Sequence, residues 1–390
     1  MVRGVPITGF SAVNAMGRTT AEVLAALDAG RSGLAAPRFA LPVETVVGSI
    51  PGDLEPLPAS VGQYDTRIAR IGFMALGDVR DAVDRAITRW GKRRVAILLG
   101  TSTGGLDATE AAYRAWAETG ALPDGYRLDT RHDFNALGTA IAKVIGSTGP
   151  TYVISTACSS SGKVHASAMR LMRAGVIDAA LVGGVDSLCR MTLQGFRGLG
   201  ILDAQRCRPF DKTRAGINIG EGSALMLLER ESKDTDLSVL GVGESSDAYN
   251  MSSPEPSGRG AREAMERALS LAGIERGDVD LLIAHGTATP QNDTAESAAI
   301  EAALGTEVPV VSTKAFTGHQ LGAAGATSAV FAAHAVRTGR APASLGSSEI
   351  DPAVRVNVAR EATTRKIDRV LANAFAFGGS NVCLAIGRPK

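Results

Sequence analysis

The sequence has few cysteines and almost no net charge. The first argues against a disulfide-rich or zinc-binding protein, and the second against a protein that binds nucleic acid or membranes through its overall charge. The 390 residues include four cysteines, none of them in a Cys-x-x-Cys pair, and the formal net charge is +1. Widely spaced cysteines predict neither a disulfide framework nor a zinc site, and they indicate a reducing compartment. A chain with almost no net charge has no global attraction to nucleic acid or to an anionic membrane, so neither is expected as a partner.

Long apolar runs are missing as well. No stretch approaches the roughly 20 apolar residues of a membrane span, and the N-terminus lacks the apolar segment of a signal peptide. The sequence therefore predicts a cytoplasmic protein. A hydrophobic content of 45% and a charged content of 21% are typical of a globular protein with a substantial core.

What the sequence does contain is an internal repeat of strand and helix patterns. The patterns follow the same order in residues 1–232 and in residues 233–390, which predicts a duplicated α/β protein with two corresponding halves. The duplication places corresponding loops at one end of the molecule, beyond the carboxyl ends of the strands, where α/β proteins bind ligands. The matched segments are 5–13 with 237–242, 65–90 with 261–271, 95–99 with 279–284, 153–172 with 308–339, and 224–228 with 381–386.

Cys158 lies where an apolar, β-branched run meets a helical pattern. A thiol in the first turn of a helix faces unpaired backbone N–H groups and the positive end of the helix dipole, and both favour the thiolate. This position makes Cys158 a candidate nucleophile. Taken alone, the position favours the other interpretation, a small buried apolar residue at a tight turn.

Two of the five histidines strengthen the candidate. His285 and His319 each follow a predicted strand in a glycine-rich loop that the duplication brings near Cys158. A cysteine with two histidines around one pocket suits either a papain-like hydrolase or an acyl transferase. No metal is expected at the two histidines, because no further ligand accompanies them at a recognisable spacing. His165 and His334 are interpreted as structural.

Four motifs in this order resemble those of the β-ketoacyl-acyl-carrier-protein synthases, the KAS I/II type of ketosynthase. The resemblance extends over nearly the whole chain and implies the duplicated, thiolase-like αβαβα layered fold and a dimer. The motifs are Thr-Ala-Cys-Ser-Ser-Ser at 156–161, His-Gly-Thr-Ala-Thr-Pro at 285–290, Lys-Ala-Phe-Thr-Gly-His at 314–319, and Phe-Gly-Gly-Ser-Asn at 377–381.

The resemblance implies a role for each matched residue. Cys158 would accept the acyl chain, and its backbone N–H and that of Phe377 would form the oxyanion hole. Neutral His285 and His319 would stabilise the enolate formed when malonyl-carrier protein loses carbon dioxide. The hydroxyl groups that would bind the phosphopantetheine arm belong to Thr287 and Thr289.

Lys314 is expected to support the pocket electrostatically, together with Asp293 and Glu296. A solvated surface lysine is the alternative at that position. No cofactor is implied, because the substrates travel on the carrier protein.

The partners that the resemblance implies are the acyl carrier protein and a second subunit. The second subunit is either another copy of this chain or a homologue like a chain-length factor. Because carrier proteins are acidic in this family, a local basic patch is expected. Its candidate members are Arg67, Arg70 and Arg208, although a solvated helix face explains the first two equally well.

The sequence departs from the family pattern at Ala376 and Asn292, where glycine is common, and at Ala374, where serine is common. A methyl group at 376 narrows the accessible backbone conformations beside Phe377. The serine run at 159–161 favours a second reading, the catalytic ketosynthase subunit of a type II polyketide or polyene synthase. A coenzyme A-dependent thiolase is a third, but its second cysteine would have to be Cys383, inside a predicted strand.

Overall fold

The structure is a computed structural model, and it describes residues 4–39 and 44–389. The strands are β1 (Val5–Asn14), β2 (Val95–Gly100), β3 (Thr151–Ile154), β4 (Ala179–Asp186), β5 (Gly222–Glu229), β6 (Ser238–Ser246), β7 (Leu281–Ile283), β8 (Val310–Val311), β9 (Arg340–Ala341), β10 (Thr363–Thr364), β11 (Arg369–Ala376) and β12 (Ser380–Gly387). The α-helices are α1 (Thr20–Asp28), α2 (Arg67–Trp90), α3 (Leu106–Thr119), α4 (Leu128–Arg131), α5 (Ala136–Ile145), α6 (Ser160–Arg173), α7 (Arg190–Gly198), α8 (Arg259–Ala272), α9 (Pro290–Leu304), α10 (Lys314–Thr317) and α11 (Ala324–Thr338). Short 3₁₀ helices occupy Ala59–Tyr64, Arg276–Asp278 and Leu321–Ala323.

Ten of the described strands form one mixed sheet that is arranged symmetrically about its centre. Its order is β3-β2-β4-β5-β1-β6-β12-β11-β7-β8. In the first half β2 pairs in parallel with β3 and β4, and in the second half β7 pairs in parallel with β8 and β11. Counted outward from the central β1–β6 pair, each strand of the first half corresponds to one of the second half. The corresponding pairs are β5 with β12, β4 with β11, β2 with β7, and β3 with β8. The duplicated α/β architecture predicted from the sequence is confirmed.

Two helices, α6 and α11, lie in the middle of the molecule between the two halves of the sheet. Every residue of α11 from Ala324 to Val336 is buried, as expected of a helix that is surrounded by protein on all sides. Helices α2 and α5 cover the outer face of the first half, and α8 and α9 cover that of the second. The result is the five-layer αβαβα arrangement.

The long amphipathic helix predicted at 65–90 is α2. The Thr66 hydroxyl caps its N-terminus by accepting a hydrogen bond from the N–H of Ala69 at 3.3 Å. Its buried side chains recur every three or four residues and pack on β1, β4 and β5. The helix thus separates one half of the sheet from solvent.

Two details differ from the sequence prediction. Helix α6 begins at Ser160, so Cys158 lies before the helix and not in its first turn. The physical reason is Ala157, whose φ of 51° is incompatible with a right-handed helix. The repeat predicted from the sequence also contains no strand at the position of β11, although the sheet shows that β11 is the counterpart of β4.

Within residues 4–39 and 44–389, no helix is both long enough and apolar enough to cross a membrane.

Candidate active site

Cys158 lies in a tight turn between β3 and α6. Ala157 before it occupies the left-handed region, which costs a non-glycine residue about 1–2 kcal/mol. The Ser160 hydroxyl stabilises the turn: it accepts the N–H of Thr156 at 2.9 Å and donates to the carbonyl of Ala157 at 2.5 Å. Gly100 permits the close approach of β2, because a Cβ atom there would lie 2.3 Å from the backbone of α6. The strained turn is therefore held from two sides.

The thiol of Cys158 is protonated at neutral pH. Burial raises the pKa of this thiol to about 12, and the nearby Lys314 ammonium offsets only part of that effect. The helix N-terminus, which favours the thiolate, is therefore outweighed in the resting protein by desolvation of the anion. The backbone N–H groups of Cys158 and Phe377 hydrogen-bond the sulfur and favour the anion, which lowers the pKa.

His319 is held in a single tautomer. Its Nδ1 accepts a hydrogen bond from the backbone N–H of Leu321 at 3.2 Å, so the proton of the neutral ring is on Nε2. Nε2 lies 3.1 Å from Sγ of Cys158. Burial and then the Lys314 charge lower the pKa of His319 well below its usual value. The neutral ring therefore donates toward the sulfur and has no free lone pair there to take the thiol proton.

His285 follows β7 and faces the ring of His319 edge to face, with ring centroids 5.2 Å apart at 81°. Its Nδ1 lies 3.5 Å from Nζ of Lys314. Since an ammonium group only donates, Nδ1 is the acceptor and Nε2 carries the proton. Burial, Lys314 and His319 lower the pKa of His285 well below its usual value. Both imidazoles are thus neutral donors through Nε2.

Lys314 is an internal lysine. It is buried, and its Nζ donates to the backbone carbonyl of His285. Burial lowers the pKa of the ammonium, whereas the carboxylate of Glu296 acts in the opposite direction. Glu296 in turn accepts the backbone N–H of His285 at 2.8 Å. The alternative of a solvated lysine is wrong, and Lys314 and Glu296 hold the His285 segment from two sides.

Asp293 holds two strained backbone positions beside the site. Its carboxylate accepts the N–H of Phe210 at 2.7 Å and that of Ala288 at 3.1 Å. These two residues have φ values of 64° and 65°. Asn292, one of the departures from the family pattern, donates to the same carboxylate at 3.2 Å. Burial raises the pKa of Asp293 to about 6.

A cavity of about 70 Å³ lies over Cys158. Thr287 and Thr289 line it, with their hydroxyl oxygens 3.0 Å apart. Phe377 closes the cavity and packs on Phe196, with ring centroids 6.1 Å apart. The volume holds only a few water molecules, so Phe377 has to move before a long acyl chain can enter.

Phe377 is carried by the hairpin that joins β11 to β12. Ala376 pairs with Ser380 across the hairpin, and Gly379 donates its N–H to the carbonyl of Ala376 at 3.0 Å. Gly378 and Gly379 supply the left-handed positions, with φ of 82° and 73°. Ala376 is an ordinary strand residue here, so its methyl group causes no backbone strain in this conformation. Ala374 is buried on the same strand.

The sulfur of Cys158 and one ring nitrogen from each of His285 and His319 lie within 4.8 Å of one another, close enough to surround a metal ion. Metal coordination needs an unprotonated ring nitrogen facing the ion. The nitrogens that face Cys158 here carry protons, because the N–H of Leu321 and the ammonium of Lys314 occupy the other nitrogen of each ring. The donor set fits hydrogen-bond donation better than metal binding.

Comparisons with known proteins agree with this geometry. The family model "Beta-ketoacyl synthase, N-terminal domain" matches residues 3–234, and "Beta-ketoacyl synthase, C-terminal domain" matches residues 237–348. The chain belongs to the β-ketoacyl synthase family. Its members form carbon–carbon bonds by acyl transfer, and this chain is such an acyltransferase.

Among curated relatives, nodulation protein E of Rhizobium meliloti is 30% identical over 99% of both chains. The 3-oxoacyl-acyl-carrier-protein synthase 2 of Coxiella burnetii is also 30% identical, again over 99% of both chains. A solved ketosynthase, ApeO of Xenorhabdus doucetiae in complex with its chain length factor ApeC, is 35% identical, with a TM-score of 0.92 over 99% of this chain and 98% of that one. The ishigamide ketosynthase/chain length factor is 29% identical, with a TM-score of 0.91 over 99% of both. These neighbours confirm the thiolase-like fold.

The three arginines predicted to face an acidic partner of this β-ketoacyl synthase all have partners within the chain. Arg67 has the strongest internal partner, because its guanidinium donates two hydrogen bonds to a fully buried carboxylate. Such a bidentate pair typically supports the fold. The place of the three arginines on a carrier-protein surface stays a prediction. The ion pairs are Arg67 with Glu221, Arg70 with Asp65, and Arg208 with Asp203.

Three further residues of the β-ketoacyl synthase, Cys383, His165 and His334, are buried, as expected for structural residues. Cys383 is fully buried on β12, and burial raises the pKa of its thiol, so it is not the loop cysteine that a thiolase would need. Nδ1 of His165 donates to the carbonyl of Ser161, 2.8 Å away, inside α6. His334 lies 2.9 Å from a carboxylate oxygen of Asp28.

Sequence reasoning missed two polar residues that organise the site. Asn373 on β11 donates to the Glu296 carboxylate at 3.1 Å, and the fully buried Asp186 lies at the end of β4. The signal for Asp186 was available, since it directly follows a buried Gly-Gly-Val run at the carboxyl end of a predicted strand. No comparable signal was available for Asn373, because no strand was predicted from the sequence at the position of β11.

Proposed function

We propose that this protein is a β-ketoacyl-acyl-carrier-protein synthase, which extends a fatty acyl or polyketide chain by two carbons through decarboxylative Claisen condensation. The observation that carries the proposal is the cluster of the Cys158 sulfur and two neutral imidazoles. Relatives named 3-oxoacyl-acyl-carrier-protein synthase 2 support it.

In the loading step, Sγ of Cys158 attacks the thioester carbonyl of an acyl-carrier protein. The new C–S bond forms as the bond to the carrier sulfur breaks, and the thiol proton leaves on the carrier's phosphopantetheine thiol. The N–H groups of Cys158 and Phe377, which point at the sulfur, are placed to stabilise the oxyanion of the tetrahedral intermediate. Thr287 and Thr289 would bind the phosphopantetheine arm.

In the condensation step, malonyl-carrier protein loses carbon dioxide and the electron pair of the broken C–C bond forms an enolate. The Nε2–H groups of His285 and His319 donate to the enolate oxygen, which needs neutral donors at fixed positions. The carbanion then attacks the thioester carbonyl on Cys158, a C–C bond forms, and the C–S bond breaks to release the Cys158 thiolate. The thiolate takes a proton from water, which restores the resting thiol. Lys314 keeps both rings neutral and holds His285 in the donating tautomer, as the N–H of Leu321 does for His319.

This chemistry needs no metal and no cofactor, and we propose that none takes part. The substrates would be delivered by acyl carrier protein. We also propose a cytoplasmic location, which the four free, buried cysteines support.

The test is intact-mass analysis of the protein after incubation with a set of acyl-carrier proteins. The wild type should gain the mass of the acyl chain, and Cys158→Ala should gain none while still releasing carbon dioxide from malonyl-carrier protein, because its histidines remain. An acyl adduct on the Cys158→Ala variant would disprove the nucleophile. Cys158→Ser is the matched control, since it keeps a poor nucleophile in the same turn.

A second candidate is the catalytic ketosynthase subunit of a polyketide or polyene synthase with a chain-length-factor partner. It is favoured by the likeness to solved ketosynthases described with their chain length factors. The same experiment distinguishes the two candidates when malonyl-carrier protein is added and elongation is measured with and without a chain-length-factor partner. Elongation by the protein alone supports the first candidate, and elongation only in the presence of the partner supports the second.

A further inference from the structure

Asp186 is a fully buried carboxylate surrounded by hydrogen-bond donors. Its Oδ1 accepts the hydroxyls of Thr101 and Thr103, both at 2.7 Å, and the N–H of Thr103 at 2.9 Å. The N–H of Ser102 lies 3.0 Å from both oxygens, and Oδ2 accepts the N–H of Gly322 at 2.6 Å. These donors are hydroxyls and backbone N–H groups, not cations. Keeping a carboxylate out of water costs several kcal/mol, and a buried carboxylate beside a reactive cysteine is a typical functional feature.

Gly322 links this carboxylate to the imidazole of His319. Leu321, which precedes it, has a φ of 48°, a left-handed conformation that is strained for a bulky residue. The N–H of Leu321 is the donor that occupies Nδ1 of His319. The next N–H along the chain, that of Gly322, is the one that Asp186 accepts. A strained backbone segment is thus fastened at both ends.

The fit around Gly322 is tight. A Cβ atom at that position would lie 2.8 Å from Oδ2 of Asp186 and 2.7 Å from the backbone nitrogen of Ser102. The loop after β2, the end of β4 and the segment before α11 therefore meet at this carboxylate.

We propose that Asp186 is a positioning residue for His319. By accepting the N–H of Gly322, it holds Leu321 in its strained conformation, and this keeps Nδ1 of His319 unprotonated and directs Nε2–H at the reacting atoms. The inference rests on the proposed function, because only enolate stabilisation requires that Nε2 donate. If Leu321 relaxed, its N–H would turn away and His319 would be free to adopt the other tautomer.

Asp186→Asn separates the two sets of contacts. The amide oxygen still accepts the hydrogen bonds from Thr101 and Thr103. The amide NH₂ replaces Oδ2 and cannot accept the N–H of Gly322, so that hydrogen bond is lost. The ¹⁵N spectrum of histidine-labelled protein, with His319→Gln for assignment, should change from a single Nε2–H tautomer in the wild type to a mixture in the variant. Condensation should fall about 10- to 100-fold, and acyl loading on Cys158 should not fall.

Rescue distinguishes positioning from general support of the fold. In the Asp186→Asn background, Leu321→Gly should restore the Nε2–H tautomer and most of the condensation rate, since glycine adopts a positive φ without strain. Thr103→Val is the matched control: it removes a donor to Oδ1, leaves the Gly322 bond in place, and should keep the wild-type tautomer.

Two results would overturn the inference. One is an unchanged tautomer and condensation rate in Asp186→Asn. The other is a lost rate that Leu321→Gly does not restore. If the tautomer changes as expected but the wild type never condenses acyl and malonyl groups, the proposed function fails and the positioning role stands.

Discussion

At the scale of single residues, the site depends on keeping three polar groups uncharged. Burial raises the pKa of the Cys158 thiol and lowers the pKa of both His285 and His319. An ion pair between thiolate and imidazolium, as in a papain-like hydrolase, is therefore disfavoured here. Neutral imidazoles that only donate through Nε2 suit an enolate and not the activation of water, so the residue chemistry favours acyl transfer over hydrolysis.

The raised pKa of Cys158 predicts how fast it reacts with iodoacetamide. Below a pKa of about 12, the thiolate fraction grows tenfold for each pH unit. Alkylation of Cys158, followed by peptide mass spectrometry, should therefore accelerate about tenfold per unit from neutral pH up to pH ~10. A rate that levels off near neutral pH would show that the thiol is activated in the resting protein.

Replacing either histidine should separate the two half-reactions. His285→Ala and His319→Ala each remove one Nε2–H donor, and the loss of one such donor typically costs 10²- to 10³-fold in rate. Condensation and malonyl decarboxylation should fall by about that factor, and acyl loading should fall much less. Loading is measured by intact mass and decarboxylation by released carbon dioxide. An equal loss of loading in both variants would instead make histidine the general base for the thiol.

At the scale of elements, the hairpin between β11 and β12 controls access to the cavity. It presents Phe377 at its tip, and the carbonyl of Met251 accepts the N–H of Gly378 at 2.8 Å. The N–H of Asp247, in the same neighbouring segment, donates to the carbonyl of Gly379 at 2.8 Å. The hairpin therefore opens only together with the chain that flanks β6.

Gly379→Ala should disturb this hairpin specifically. The residue has a φ of 73°, and a Cβ atom would lie 2.7 Å from the Cβ of Asp247. Strain of this kind costs about 1–3 kcal/mol, so the variant should unfold at a lower temperature and load acyl chains more slowly. Ala376→Gly is the control, since that strand position has no strain to relieve and its melting temperature should hardly change. Equal effects of the two substitutions would contradict the assignment of strain.

At the scale of the whole molecule, association with a second subunit stays a prediction, and one edge of the ten-stranded sheet is a candidate surface for it. β3 forms that edge, and all four of its residues are half-buried. Tyr113, Trp116 and Leu128 are large apolar side chains that are exposed on α3 and α4. Exposed apolar groups and an open strand edge each favour association with another chain. The division into residues 1–232 and 233–390 stays a prediction.

A charge placed on α3 should weaken this association. Trp116→Glu puts a carboxylate on an exposed apolar side chain, and it should raise the monomer fraction in analytical ultracentrifugation several-fold without lowering the melting temperature of the monomer. Leu271→Glu on α8 is the matched control, because it is a similarly exposed apolar residue on the outer layer of the other half. If the two variants sediment alike, α3 is not part of the interface.

The sequence by itself determined the duplication, most of the elements and the choice of Cys158, His285 and His319 as candidates. It did not identify β11, and the roles of the three candidates stay predictions. What it determined follows from local periodicity and from motifs whose residues are adjacent in the chain. The α2 helix and the strands β1, β2, β5 and β12 could be read this way because each has a continuous apolar pattern.

Only the tertiary structure decided the protonation states and the supporting contacts. The pKa of Cys158 depends on desolvation by segments far apart in the sequence, so its local position before α6 does not determine the direction of the shift. The tautomer of His319 depends on the Leu321 backbone, and Asp186 meets Gly322 only because β4 and the segment before α11 pack together. Burial and non-local hydrogen bonds set these properties, and neither leaves a periodic pattern in the sequence.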